Sequence, residues 1–178
     1  MSDYYLDALT AADCEVARQW RNTDAVRVGL RTPYMQTVEQ QGEFYRRIGW
    51  EWLASHRYWA VRVPELAGAE WEPTFLAMVG LTNIIWENGS AEISLLVDPK
   101  RQGEGSGKIT LRLVLTEAFD RMRLQTVFGE VYHCNPGKLF WPNLWDGHVE
   151  VPRRKLWSGE LHGAFLFWFL PSGKWRNG

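Results

Sequence analysis

At 178 residues, with 46% hydrophobic and 23% charged side chains, the chain has the composition of one folded domain, not of a disordered or fibrous protein. A net charge of -1 and a pI near 6.4 exclude a global field that would draw it to nucleic acid or to an anionic membrane. Two cysteines, Cys14 and Cys134, are too few for a disulfide framework and sit in no metal-ligand spacing, so idle thiols in a reducing compartment are expected.

The first ten residues hold no basic or apolar leader, and the longest apolar run, Ala164 to Leu170, is too short to span a bilayer. A cytoplasmic protein with no membrane partner is the expectation. Thr10 can N-cap a first helix that runs to Asn22 with Val16, Ala17 and Trp20 on one face. Pro33 breaks the pattern. Thr37 and Gln40 form a capping box for a second helix, which Phe44, Ile48 and Trp52 carry on towards Ser55. Strands are expected over 57–63, 74–86 and 91–98, the last two joined by a tight hairpin at Asn88-Gly89.

A helix over 107–122 should bury Leu111, Leu115, Ala118 and Met122. A strand over 125–134 follows. Residues 138–145 are ambiguous, a short helix broken at Pro142 or an irregular piece. Strands over 148–157 and 163–170 then close the chain as an antiparallel pair, turning at Ser158 and Gly159. Helices and strands do not alternate strictly. The class is therefore α/β, more narrowly α+β: a mixed, largely antiparallel twisted sheet flanked by helices, in a single domain.

The stretch from Val97 to Phe119 is the most informative. Gly103, Gly105 and Gly107 stand at every second position between a strand end and a helix start, with Lys100, Arg101 and Lys108 around them. Such a loop bares backbone N–H groups and adds a helix N-terminus, which together favour phosphate. The nucleotide-triphosphate loop fails here, because Gln102 stands where its first glycine belongs and Ile109 where its Ser or Thr belongs. The dinucleotide fingerprint fails on glycine spacing. What remains is a Gln-x-x-Gly-x-Gly pattern from Gln102 to Gly107.

This pattern resembles the acetyl-coenzyme A loop of the GNAT superfamily of N-acetyltransferases. Trp20 to Asn22, the segments flanking the hairpin, and the stretch leading to Asn135 resemble the branch that includes ribosomal-protein N-terminal acetyltransferases. The likeness covers Ala8 to about Asn135 and is weaker beyond. It implies acetyl-coenzyme A as co-substrate, with its pantetheine arm in a gap beside the backbone of Leu96 and Val97. It also implies the pyrophosphate on Gln102, Gly103, Glu104, Gly105, Ser106 and Gly107, with Arg101, Lys108 and Asn135 in the same coenzyme-binding set. Solvated loop charges are the plainer reading of the cations.

The acceptor would be a primary amine, on a small molecule or a protein N-terminus. The resemblance offers two carboxylates as base, Glu130 first and Glu92 next; a solvent-facing strand residue is the alternative for each. The family's usual acid is a tyrosine on the helix after Asn135, followed by Gly-Phe. This chain has neither there, and Tyr132, on the strand face of Glu130, is the candidate substitute. Four of the 11 tryptophans, Trp141, Trp145, Trp157 and Trp168, fall in the region that shapes the acceptor pocket of this family. Trp141 and Trp145 are the candidate acceptor contacts, while core packing is the stronger reading for Trp168. The scattered histidines point to no metal. A non-catalytic acyl-coenzyme A-binding module and a nucleic-acid-modifying transferase are the competing functions, the latter disfavoured by charge, and a homodimer is a further expectation.

Overall fold

The computed structural model describes residues 4–67 and 70–176. Its sheet has seven strands: β1 (Tyr5–Ala8), β2 (Arg57–Ala67), β3 (Glu70–Ile85), β4 (Ser90–Val97), β5 (Thr126–Tyr132), β6 (Gly147–Trp157) and β7 (Glu160–Phe169), in the order β1-β2-β3-β4-β5-β7-β6. Every pairing is antiparallel except that of β4 with β5. The mixed, largely antiparallel class expected from the sequence is the class found. β1 escaped the sequence reading because four residues are too few to display a period.

The helices are α1 (Ala11–Arg21), the single turn α2 (Asp24–Arg27), α3 (Val38–Gly49) and α4 (Ser106–Thr116). Both expected caps form: the hydroxyl of Thr10 accepts from the Asp13 amide while Asp13 bonds back, and Thr37 and Gln40 do the same for α3. The buried face of α1 is rotated from the one expected. Cys14 and Ala17 are inside with Asp13, Val16 faces out, and the Trp20 ring stacks on Phe75 at 5.0 Å.

α3 stops at Gly49, well short of Ser55. Glycine is a weak helix former, and continuing the helix would bury nothing at Trp50, which is 80% exposed. The chain folds back instead, so that Phe44 meets the edges of both Trp52 and Tyr58. α4 gives way after Thr116 to a π turn over Glu117–Arg121. The widened turn still keeps Leu111, Leu115 and Ala118 fully buried, as their spacing predicts. The link between β3 and β4 is a 3₁₀ turn over Trp86–Asn88, not a tight two-residue hairpin. The ambiguous segment is a 3₁₀ turn over Pro136–Phe140 followed by turns that bury Leu144 and Trp145.

α4 packs its apolar stripe against one sheet face with Val79, Leu81, Ala91, Val127, Val131 and Phe167. Among the described residues, no helix is long and apolar enough to cross a membrane. The site is positioned by what happens between β4 and β5. They pair over only three positions, Ser90↔Thr126, Ala91↔Val127 and Glu92↔Phe128. β4 then stays with β3 as far as Val97↔Ala77, and β5 stays with β7 as far as Tyr132↔Ala164. The sheet opens as a wedge from Glu92 onwards.

Candidate functional site

The N-terminal end of α4 lies at the mouth of the wedge. Asp98 caps a 3₁₀ turn over Pro99–Arg101 by accepting from the Lys100 amide at 2.9 Å. The chain then crosses residues 102–105, all exposed, before Ser106 buries itself at the helix start. Gly103 and Gly105 adopt φ of +88° and +84°. A β-carbon at either would touch nothing, so the requirement for glycine is conformational. Gly105 is the N-cap residue and no side chain caps α4; the Lys108 amide turns back to the Gly105 carbonyl, which leaves the Ser106 and Gly107 amides and the helix dipole as the features that suit an anion. Residues 102–107 therefore make a bare, amide-lined cradle, with Arg101 next to it 3.9 Å from Glu104 and Lys108 half-buried on the first turn. Leu96 and Val97 present one strand edge to the wedge. Asn135, just past the end of β5, packs its amide against Gly29 and caps the next turn by accepting from the Gly137 amide.

Across the sheet from α4, where the wedge opens, lies a pocket of about 300 Å³. Glu92 comes to it from β4 and Glu130 from β5. The Glu130 side chain is only 4% exposed and is bound three ways: Arg154 Nε donates to Oε1 at 2.6 Å, Tyr132 Oη to Oε2 at 2.8 Å, and Arg31 Nη2 to Oε2 at 3.2 Å. Arg31 Nη2 also donates to Glu92 Oε1, while Asn83 Nδ2 donates to Glu92 Oε2 at 3.0 Å. One guanidinium thus bridges the two splayed strands. Burial pushes the Glu130 carboxyl up, but the Arg154 and Tyr132 hydrogen bonds and the charges of Arg154 and Arg31 outweigh it and hold the group below its ordinary range. Burial, and then the Glu130 contact, pushes Tyr132 up, so the phenol keeps its proton.

Sequence reasoning found Glu92, Glu130 and Tyr132, and the structure brings all three together. It missed the cations. Arg31 sits in the irregular loop after α2, held by a buried lysine: Lys155 Nζ donates to the carbonyls of Val28 and Leu30, each at 2.6 Å, and Cys134 Sγ also reaches the Val28 carbonyl at 3.4 Å. Arg154 and Lys155 are aimed by a bulge in β6, where the register with β7 shifts between Val151 and Lys155 and Arg153 takes φ of +53°. Pro152 was the signal available: proline inside a strand marks an edge or a bulge, and β6 is both.

The tryptophans divide differently from the expectation. Trp145 is 5% exposed, wedged between Phe167 and His148, which leaves it no face for an acceptor. Trp141 stacks on Phe167 at 4.7 Å. Trp157 lies beside Lys155. Trp168, for which core was the stronger reading, is 37% exposed and lines the pocket, its ring lying over Gly147. His133 and Cys134 diverge, the imidazole towards Phe165 and Glu150 and the thiol towards Val28. Among the described residues, no cluster of three or more His, Cys, Asp or Glu is placed to hold a metal.

An uncapped helix start, a splayed pair of strands and a carboxylate-bearing pocket at the apex fit the coenzyme A-dependent acyltransferase that the sequence resembles. Residues 4–139 match the acetyltransferase (GNAT) domain family, and the chain belongs to that family of acetyl-coenzyme A-dependent enzymes. No curated protein matches the chain at a significant level. Among solved structures, the spermidine N-acetyltransferase of Vibrio cholerae in complex with CoA and spermine aligns with a TM-score of 0.78 and 20% identity, covering 98% of each chain. A dodecameric form of spermidine N-acetyltransferase from the same organism aligns at 0.71 and 19%, covering 95% of this chain and 94% of that one. At such identity these likenesses speak for the fold.

Proposed function

We propose that the protein is an N-acetyltransferase that moves the acetyl group of acetyl-coenzyme A to a primary amine by direct attack on the thioester. The observation that carries this reading is the convergence of Glu92 and Glu130, from the two strands that part company, at the apex of the wedge. The cradle of residues 102–107 would take the pyrophosphate, and the open edge of β4 at Leu96 and Val97 would take the pantetheine arm. The neutral amine attacks the carbonyl carbon. The C–N bond forms, the C–S bond breaks, the thiolate leaves with its electron pair, and one proton leaves the nitrogen. The Val97 amide is suited to the transient oxyanion.

Glu130 and Glu92 would hold and orient the amine. Arginine contacts keep Glu130 below the usual carboxylate range, so direct proton abstraction from an ammonium of pKa about 10 is steeply uphill. A water that relays the proton to solvent is the favoured route. The leaving thiolate, with a pKa of about 8.5, departs without full protonation, and Tyr132, whose hydroxyl now donates to Glu130, would have to exchange that bond to reach it.

The test is release of free thiol from acetyl-coenzyme A with a panel of amines, repeated with Glu130→Gln and Glu92→Gln. We expect a ~10- to ~100-fold fall in kcat/KM for Glu130→Gln, the loss of one charge-assisted contact to the amine, and a smaller fall for Glu92→Gln. Turnover untouched by both changes would remove the carboxylates from the chemistry.

A second reading is a module that binds an acyl-coenzyme A without turning it over. The clamping of Glu130 by two arginines favours it, and coenzyme binding without thiol release across the panel would establish it. A small-molecule acceptor suits a pocket of about 300 Å³. The resemblance to the ribosomal-protein branch keeps a protein N-terminus in the panel. The unpaired cysteines, Cys14 and Cys134, fit a reducing cytoplasmic setting.

A further inference from the structure

We infer that the acceptor is an amine bearing an anionic group close to its nitrogen, an amino-acid-like or phosphorylated zwitterion, and that Arg31 and Arg154 select it. The inference rests on the acetyltransferase reading and adds the substrate class. Four charged side chains line the pocket, Arg31, Arg154, Glu92 and Glu130, so their charges cancel. Their exposure is not symmetric. The Glu130 and Glu92 side chains are 4% and 14% exposed, whereas those of Arg31 and Arg154 are 57% and 50% exposed.

An incoming ligand therefore meets guanidinium first and carboxylate beneath. A simple cation is repelled at the mouth and finds each carboxylate already engaged. A polyamine, with two or more positive charges, finds no surplus of negative charge. A zwitterion can exchange partners without leaving any charge unpaired: its ammonium replaces the guanidinium contacts on the buried carboxylates, and its anion takes the freed donors of Arg31 and Arg154. Arginine suits this exchange because its planar fork binds carboxylate or phosphate in two-point fashion. Arg31 bridges both carboxylates from a loop, so it is the contact most easily yielded. Phe128 and Trp168, each 37% exposed at the pocket rim, offer apolar surface for the rest of the acceptor.

The test uses matched acceptors with saturating acetyl-coenzyme A. Phenylalanine is paired with 2-phenylethylamine, O-phosphoethanolamine with ethanolamine, and spermidine is run alongside. In at least one pair the anionic member should exceed its twin at least ~10-fold in kcat/KM, with spermidine slowest, since the twin lacks the group that would make a charge-assisted contact to the arginines. The pair that responds also tells carboxylate from phosphate. Arg154→Gln and Arg31→Gln should each bring the ratio towards one, mainly through KM, while calorimetry still detects acetyl-coenzyme A binding. Equal or reversed preference within both pairs, fastest turnover of spermidine, or a ratio that survives both substitutions overturns the inference. So does absence of turnover with every acceptor while acetyl-coenzyme A binds. Failure to bind acetyl-coenzyme A at all sinks the broader reading with it.

Discussion

The proposed coenzyme cradle and the proposed acceptor pocket are built from opposite materials. The cradle is six consecutive residues, 102–107, three of them glycines, at a helix start that no side chain caps. The pocket is mostly side chains, drawn from five places in the chain, with Arg31 lying 61 residues from Glu92 and 99 from Glu130. A diphosphate needs little beyond donors and a dipole, which one loop and one helix end supply locally. An acceptor needs balanced charges at fixed separations, which only the packing of β4, β5, β6, β7 and the loop after α2 supplies. Changes in one site should therefore leave the other largely intact.

The largest expected effect lies beneath both sites. Trp145→Ala removes a buried ring between Phe167 and His148 and should cost about 3–5 kcal/mol in chemical denaturation. Were stability untouched and only acceptor KM raised, Trp145 would belong to the pocket after all. Next comes Gly105→Val, which forces a branched side chain into a positive φ. It should weaken acetyl-coenzyme A binding by about 1–3 kcal/mol, roughly 5- to 150-fold, with little change in acceptor KM. Calorimetry and steady-state kinetics read the two quantities separately.

Lys155→Met leaves the Val28 and Leu30 carbonyls without their shared donor and loosens the loop that carries Arg31. It should lower stability by about 1–3 kcal/mol and raise acceptor KM several-fold. A comparable loss of coenzyme affinity would break the separation between the sites. Trp168→Ala should raise acceptor KM by a few-fold, equivalent to about 1 kcal/mol, with a small change in melting temperature.

The smallest effect concerns pH. Glu130 titrates below its unfolded value of about 4.3, so its contribution to stability is complete above that value and is lost only as pH falls through the lower folded one. Between pH 5 and 8 it should not vary. An acid limb in kcat/KM within that window would then report the acceptor's ammonium, and should move when an acceptor of different pKa is used. A limb that stays put identifies a group on the protein.

Much of the fold was legible from local pattern. The boxes at Thr10 and Thr37 cap the helices they were expected to cap, because those bonds span three residues. The buried stripe of α4 followed from spacing, and the closing pair of strands from its turn at Ser158 and Gly159. Errors arose where competing local signals needed a tertiary referee. Val16 and Cys14 are both apolar on adjacent faces of α1, and the sheet chose Cys14. Trp145 and Trp168 are alike as residues, yet one lies under the sheet's aromatic stack and the other lines an uncovered pocket.

Sequence alone determined the phosphate-loving loop, because glycine spacing, positive φ and a helix start are properties of neighbours along the chain. It also supplied both carboxylates, through the resemblance of the strands that carry them to those of the family. Tertiary structure alone decided that Arg31 joins those carboxylates and that a bulge after Pro152 aims Arg154 at Glu130 and buries Lys155. It alone placed an aromatic ring beside them. Those facts depend on which surfaces meet when the strands part, and no local period encodes a meeting between residues so far apart.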